Sequence, residues 1–382
     1  MNSLEISLCE TPAQRRRFER AAETLHRGHP SFVPPFPGSV AKILAPESVF
    51  NRRHGKIRAF LATRGGRAVG RIAAIVNTSH NAQHNDRAGF FGFFECENDP
   101  ATAKRLFDRA AEELRKEGLE SMRGPYSPSI NDECGLLVEG FDRRTTISLT
   151  WNPPYYERLV FGHGFQERVL NHAFLLPLHR LEPPPRLRPL AERFAKRSRV
   201  RLRPIDFSRM DRDLDIIREV YNATLKRNWG FVPIAEEDLN AAAGELRTIA
   251  YPELIMIAEK DGENAGVALS LPDVNIHLAA VRKTPWILRP LHFLFLLKTR
   301  RLRRIRQIVY GVAPRFQNTG LHPWLTYEHF VEAQRWADEA TLGWIESTNE
   351  EVIRLSQLIG GEPSHLWKIY ELPLAPVVPS AS

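Results

Sequence analysis

Three groups of residues have the types and spacing to do chemistry. The first is acidic. Glu95 directly follows Phe90, Phe91, Gly92, Phe93 and Phe94. A carboxylate buried among such rings has its pKa raised, because desolvation penalises the charged form, and a raised carboxyl suits a general base. The same position also suits a helix cap or an exposed turn. Asp132 and Glu133 lie with Asn131 in a polar loop after Pro125 to Ile130, as further carboxylates for acid–base work or as an Asx-type turn. The second group is His277 with Asn275, near the end of an expected hairpin; a lone histidine is more often structural. The third is the run Val312, Ala313, Pro314, Arg315, Phe316, Gln317, Asn318, Thr319, Gly320, Leu321, His322. A turn leading into a helix start exposes unpaired N–H groups and the positive end of the dipole, which together attract a diphosphate. Gly320 lets backbone approach phosphate closely. The preceding strand, Tyr310 to Val312, can present a backbone N–H to a carbonyl that gains charge. A plain polar strand-to-helix turn is the alternative. Cys134 has no adjacent basic partner, so no covalent mechanism is expected.

These groups need a scaffold, and the chain is long enough for two or three domains: it has 382 residues, 43% hydrophobic and 26% charged. That composition excludes disordered, collagen-like and coiled-coil classes. Three cysteines at no metal-ligand spacing exclude a disulfide framework and a zinc finger, and point to a reducing compartment. No metal is expected. The start has no apolar core of a secretory signal, and the longest apolar stretch, Trp286 to Leu297, is too short to cross a bilayer.

The elements repeat. Phe60 to Ile75 and Met256 to Leu271 both read as strand, glycine turn, strand, with Gly70 and Gly266 spaced by 196 residues. Leu-Pro-Leu at 176–178 and 372–374, and Gly164 with Gly360, keep that same spacing. A duplicated domain follows. In each half the hairpin precedes a buried strand, Gly89 to Phe94 and Gln307 to Val312. Asp99 with Pro100 opens a helix that ends by Gly118, and Thr348 to Glu351 has the spacing of a capping box. His365 to Tyr370 returns as a strand. Each half is a mixed α/β arrangement of one sheet with helices on it. The expected layout is a first domain at 1–180, a basic Pro/Arg-rich linker at 181–203, and a second domain at 204–376 with an insert at 282–306.

This order, the Val312 turn and the run Asn349 to Gly360 resemble the GNAT acyltransferase superfamily, whose fold parts two parallel strands to admit the pantetheine arm of acyl-coenzyme A. The turn is similar to the family's V-x-P-x-[YF]-[QR]-x-x-G-x-[GA], and the second run to N-x-x-A-I-x-L-Y-x-x-x-G-F. The resemblance implies two tandem GNAT-like N-acyltransferase domains. It implies acyl-CoA as co-substrate, held by Val312, Pro314, Phe316, Gln317, Asn318, Thr319, Gly320, Leu321 and Asn349. His322 replaces a small residue and Ser356 replaces the tyrosine that often serves as general acid. The first half has Cys96-Glu-Asn-Asp-Pro-Ala101 where the turn would be, so it is not expected to bind a nucleotide. Stretches such as Phe32 to Pro35, Asn131 to Gly135 and Asn228 to Pro233 extend the resemblance to the family that includes the bacterial ceramide synthases, which N-acylate a sphingoid base. An amine with a pKa of about 10 arrives as ammonium, so a base is needed; Glu95, Asp132, Glu133 and His277 are the candidates.

The insert has the composition of an interfacial helix. Net charge is +8, yet 274–327 holds ten bases and no acid, leaving −2 elsewhere. Apolar Trp286 to Leu297 beside Lys298 to Arg306 is expected to meet an anionic membrane surface. A buried helix with a solvated basic face is the alternative. Without a nucleic-acid motif, no nucleic acid is expected. The leading expectation is a cytoplasmic enzyme, peripheral at the inner membrane, that acylates a lipid-like amine. The alternatives are a soluble amine or amino acid as acceptor, and a non-catalytic acyl-CoA-binding duplicate.

Overall fold

The computed structural model describes residues 3–374. Its strands are β1 (Leu4–Leu8), β2 (Gly55–Arg64), β3 (Arg67–Asn77), β4 (Ala88–Cys96), β5 (Ser121–Gly124), β6 (Tyr126–Ser127), β7 (Glu133–Cys134), β8 (Leu136–Glu139), β9 (Gln166–Leu176), β10 (Val200–Pro204), β11 (Ile255–Lys260), β12 (Glu263–Pro272), β13 (Arg304–Val312), β14 (Glu339–Glu346) and β15 (Glu362–Pro373). They divide between two compact units. The first takes the chain up to Asn171, Leu278–Phe293 and the chain from His365; the second takes His172–His277 and Leu294–Ser364.

In the first unit the strand order is β1-β2-β3-β4-β5-β15. The ladders are antiparallel except for β4 with β5, which run parallel. The helix Pro100–Lys116 starts as the sequence requires: Asp99 accepts from the Ala101 N–H at 3.1 Å and Pro100 fills the first helical position. Its apolar face, Leu106, Phe107, Ala110, Ala111 and Leu114, packs with Phe91, Phe94 and Phe165 into a core closed by Tyr370. On the opposite turn of the chain, the helix Pro12–Leu25 opens with a Thr11/Gln14 capping box.

The second unit has the order β14-β13-β12-β11-β10, with the end of β9 next to β14. Again one pair, β13 with β14, is parallel. The expected duplication is visible in the registers. Ala62 faces Gly70 across the first hairpin and Ala258 faces Gly266 across the second; both ladders slip at the very next pair. Gly70 then faces Cys96, while Gly266 faces Val312. The second copy therefore carries 20 more residues between its second and third strands, which is the insert. At the equivalent place the first copy has only the short helix Thr78–His84.

Three expectations change. The segment 181–203 is not a bare linker: Arg188–Arg197 is a helix with Pro189 in its first turn, and Phe194 stacks 5.2 Å from Trp324. Asn349, not Thr348, caps the helix Glu350–Leu358, while the Thr348 hydroxyl donates to Glu346 at 2.7 Å. The units also cut across the sequence halves. β15 bonds β5, pairing Tyr370 with Gly124 and Pro373 with Ser121, and Trp367, Ile369 and Tyr370 are fully buried there. The expected domain end at 376 lies outside the described residues.

Candidate functional site

Parallel strands in each unit part company at the same place, with different results. In the first unit β4 and β5 pair only from Ala88 to Phe90. Beyond that point the chain folds into the opening: a side chain on Gly92 would sit 1.3 Å from the Tyr126 carbonyl oxygen. Phe93, at φ 50°, marks a bulge in β4, and its N–H donates to the Ser127 hydroxyl. This opening is filled by the protein itself. In the second unit β13 and β14 pair only from Arg304 to Gln307, and Ile308 is the bulged residue. From there to Val312, β13 keeps β12 as its ladder partner.

Val312 leads into the turn. Phe316 is buried, whereas Pro314, Gln317, Asn318 and Thr319 are exposed. Gly320 takes φ 93° and begins the helix Leu321–Trp336 with no side-chain cap on its N–H groups. Uncapped donors at a part-buried helix start, reached from the exposed turn before it, suit an anion, though Pro323 removes one of them. The Tyr310 hydroxyl donates to the His322 carbonyl at 2.9 Å and ties the strand to the helix. Phe194 lies 3.1 Å from where a Gly320 side chain would begin, so the basic helix Arg188–Arg197 borders the turn. Asn349 spends its side-chain oxygen on the Val352 N–H, as a cap.

The first unit holds the cluster of charge. Glu95, on β4, is 13% exposed and its Oε2 lies 2.5 Å from His26 Nε2. The Tyr156 hydroxyl donates to the same oxygen at 2.7 Å, and Arg71 Nη2 reaches Oε1 at 3.4 Å. Each partner is held in turn. His26 caps the end of the helix Pro12–Leu25, Arg71 donates to the Phe18 and Glu19 carbonyls, and Tyr156 accepts from the Cys96 N–H. Burial works to raise the Glu95 pKa, but His26, Arg71 and Tyr156 outweigh it and hold the carboxyl below its ordinary value. The raised carboxyl expected from the neighbouring phenylalanines is thus reversed. Those rings turn into the core, and the carboxylate meets cations instead.

The remaining candidates stand apart from this cluster. Asp132 accepts from the Ser129 N–H and hydroxyl, at 3.2 and 2.6 Å, which is a local turn. Glu133 is exposed on β7, opposite Ser127. His277 belongs to the second unit, in the helix Asn275–Val281, where it is buried with Nε2 at 3.1 Å from the Arg300 carbonyl; burial lowers its pKa. Sequence reasoning missed His26, Arg71 and Tyr156. Arg71 had a signal, a cation inside the apolar run Val69 to Ile75. Asn171, fully buried on β9, left none: neither side-chain atom finds a partner among the described residues.

The insert puts its apolar residues outward. Ile287, Leu291 and Phe295 are 81%, 68% and 60% exposed, and Leu288 and Leu294 join them on one helical face. Its bases are less free than composition implied. Arg289 pairs with Glu23 through two bonds of 2.6 and 2.8 Å, Arg303 with Asp338, Arg304 with Asp273, and Arg301 lies over Trp336. Lys283, Lys298 and Arg300 remain exposed beside the apolar face. Among the described residues no helix is long and apolar enough to cross a membrane.

No family model matches the sequence. The chain is 29% identical over 377 residues to the bacterial ceramide synthase of Caulobacter vibrioides, covering 96% of this chain and 97% of that one. It is 28% identical over 319 residues to the protein YghO of Escherichia coli, covering 82% and 81%. Among solved structures, the tandem GNAT protein from the clavulanic acid biosynthesis pathway superposes with a TM-score of 0.56 at 13% identity, covering 98% of this chain and all of that one. The parted strands, the recurring hairpin register and the superposition agree: the chain has the tandem GNAT fold, and over nearly its whole length it is similar to an acyltransferase.

Proposed function

We propose that this acyltransferase moves a fatty acyl group from acyl-coenzyme A to the amine of a lipid, with a sphingoid base as the leading acceptor. The observation that carries this reading is the row Ile287, Leu288, Leu291, Leu294 and Phe295, which an enzyme of purely aqueous substrates would have no reason to leave exposed. Flanked by Lys283, Lys298 and Arg300, it suits an anionic lipid surface, so the protein works at the cytoplasmic face of the inner membrane. The similarity to a ceramide synthase supports the same acceptor.

The coenzyme belongs to the second copy. There the N–H groups at Gly320 and Leu321 face the diphosphate, and Val312, Pro314, Phe316, Gln317, Asn318 and Thr319 shape the approach. Arg193, Lys196 and Arg197 on the adjoining helix add cations. The open side of β13 offers backbone N–H groups to the thioester oxygen, where charge builds as the amine adds. The first copy, its opening filled at Tyr126, takes no coenzyme, and calorimetry should find one coenzyme A per chain. Glu95 anchors the acid–base chemistry that the arriving ammonium requires. Asp132 lies in a local turn, Glu133 on the strand β7, and His277 is bonded to the Arg300 carbonyl, so these three are secondary candidates.

The test is direct. Purified protein incubated with sphinganine and long-chain acyl-coenzyme A on anionic vesicles should release free thiol and form an amide detectable by mass spectrometry. Thiol release with a soluble amine alone, and no lipid amide at any chain length, would sink the lipid acceptor.

A further inference from the structure

We infer that Glu346 is the carboxylate that pairs with the ammonium head of the acceptor, on the face of the second unit opposite the coenzyme turn. This rests on the lipid-amine reading above and names the counter-ion of that amine. Every residue it uses lies in the second unit.

The two faces of that unit's sheet follow from strand alternation. Ile257 on β11, Val267 and Leu269 on β12 and Val309 on β13 pack with Ile216, Ile217 and Val220 of the helix Met210–Thr224. Met256, Ala258, Ala268 and Val312 point the other way and pack with Leu321, Trp324 and Leu325 of the helix Leu321–Trp336. The turn from Val312 to Gly320 opens that second helix, so the diphosphate belongs to its face.

Glu346 belongs to the other. Its neighbour Ile345 packs with Phe330 and Ala333 of the helix Leu321–Trp336, and the next residue along a strand turns to the opposite face. The hydrogen bonds agree. Glu346 Oε2 accepts from the Trp229 N–H at 3.0 Å, in the segment Asn228 to Pro233 that follows the helix Met210–Thr224. Phe231 of that segment lies 6.1 Å from Tyr221 on the same helix. The position along the strand is equally telling, because ligands bind beyond the carboxyl ends of parallel strands where these separate. β13 and β14 pair no farther than Gln307 with Leu342, and Glu346 is the last residue of β14. The parted strands therefore have the diphosphate turn on one face and this carboxylate on the other.

Its charge is unmatched. The Thr348 hydroxyl donates to Oε1 at 2.7 Å and the Trp229 N–H to Oε2, and among the described residues no Lys, Arg or His forms an ion pair with it. Other part-buried carboxylates of the unit are matched: Asp213 and Glu259 share Arg203, and Asp273 takes Arg304. Uncharged donors fix the Glu346 side chain in place without neutralising it, and two of its roughly four lone-pair sites stay open. A primary ammonium brings both the missing charge and three N–H donors.

Glu346→Gln keeps an acceptor oxygen for its neighbours and removes the charge. We expect the KM for sphinganine to rise about tenfold or more, because a part-buried charge pair loses one member, while calorimetry finds coenzyme A bound as tightly as before. In the wild-type protein, a short-chain N,N-dimethyl analogue of sphinganine, cationic but unable to form an amide, should compete about tenfold better than the matching neutral alcohol. A sphinganine KM within about threefold of wild type in Glu346→Gln, or equal competition by cation and alcohol, overturns the proposal. So does a raised KM accompanied by an equal loss of coenzyme binding, which would mark a structural prop. If the glutamine variant does not fold, Glu346→Asp, which draws the charge back by one methylene, should raise the same KM alone. Amide formation by the wild-type protein upholds the lipid acceptor whatever these variants do. If the wild-type protein acylates no lipid amine, that reading fails, and calorimetric binding of the dimethyl analogue to wild type and variant still decides Glu346.

Discussion

At the scale of single residues, burial and a group's partners together set protonation: burial alone lowers the His329 imidazole, whereas at Glu95 the cationic partners overcome burial, and both groups end below their ordinary values. Burial pushes the His329 imidazole down to about 4 from 6.5, offset only in part by the Leu254 backbone and Glu332. A pKa depressed on folding contributes stability that is fully present above pH 6.5 and is lost as the pH falls toward 4, because the unfolded chain takes up the proton first. The loss should be on the order of 3 kcal/mol. Urea denaturation at pH 7 and pH 4.5 should show a smaller acid loss in His329→Leu than in the wild type; an equal loss would mean that His329 is protonated in the folded state. Glu95 shows how far such effects can be read beforehand. Its sequence neighbours, four phenylalanines, correctly mark a buried strand. They say nothing of Arg71, 24 residues earlier, or His26, 69 residues earlier, which meet it only once β3 and the helix Pro12–Leu25 are packed. Local sequence therefore predicts the burial and misses the sign of the shift.

Elements obey local rules more openly. Asp99-Pro100 starts a helix where it should, and the hairpins turn at their glycines. The basic run after Pro189 looked like a linker because its charges outnumber its apolar residues, yet Leu187, Ala191 and Phe194 recur at helical spacing and are enough to seat it. The insert carries the sharper lesson. Composition counted its arginines as available to lipid, whereas Arg289, Arg303 and Arg304 are paired internally. Membrane affinity should then depend mainly on the apolar face. Leu291→Glu with Phe295→Glu should abolish flotation with anionic vesicles and leave the melting temperature within a few degrees, since both side chains are exposed. Flotation unchanged by the pair, and lost only in Lys298→Glu with Arg300→Glu, would return the weight to charge. Arg289→Ala should cost about 2–3 kcal/mol, because Glu23 loses a nearly buried partner.

At the scale of the molecule, the constant spacing of 196 residues between Gly70 and Gly266 made the duplication legible, and the registers carry it down to the same slipped pair. The membership of the last strand was not legible. Both copies end in a strand of similar pattern, and only hydrogen bonding records that β15 completes the sheet of the first unit. Removing the chain from Glu362 onward should therefore damage the unit farther away in sequence: amides of Ser121 to Gly124 should lose protection from hydrogen exchange more than those of β11 and β12. The reverse pattern would place β15 energetically with its own half.

That arrangement bears on truncation and on synthesis. Because β15, from the second half of the sequence, is hydrogen-bonded into the sheet of the first unit, deleting either half would strip a strand from the other. A ribosome, moreover, must reach β15 before the sheet of the first unit can close, so nascent chains wait with an open β5 edge, and a chaperone that shields it should bind them until β15 emerges.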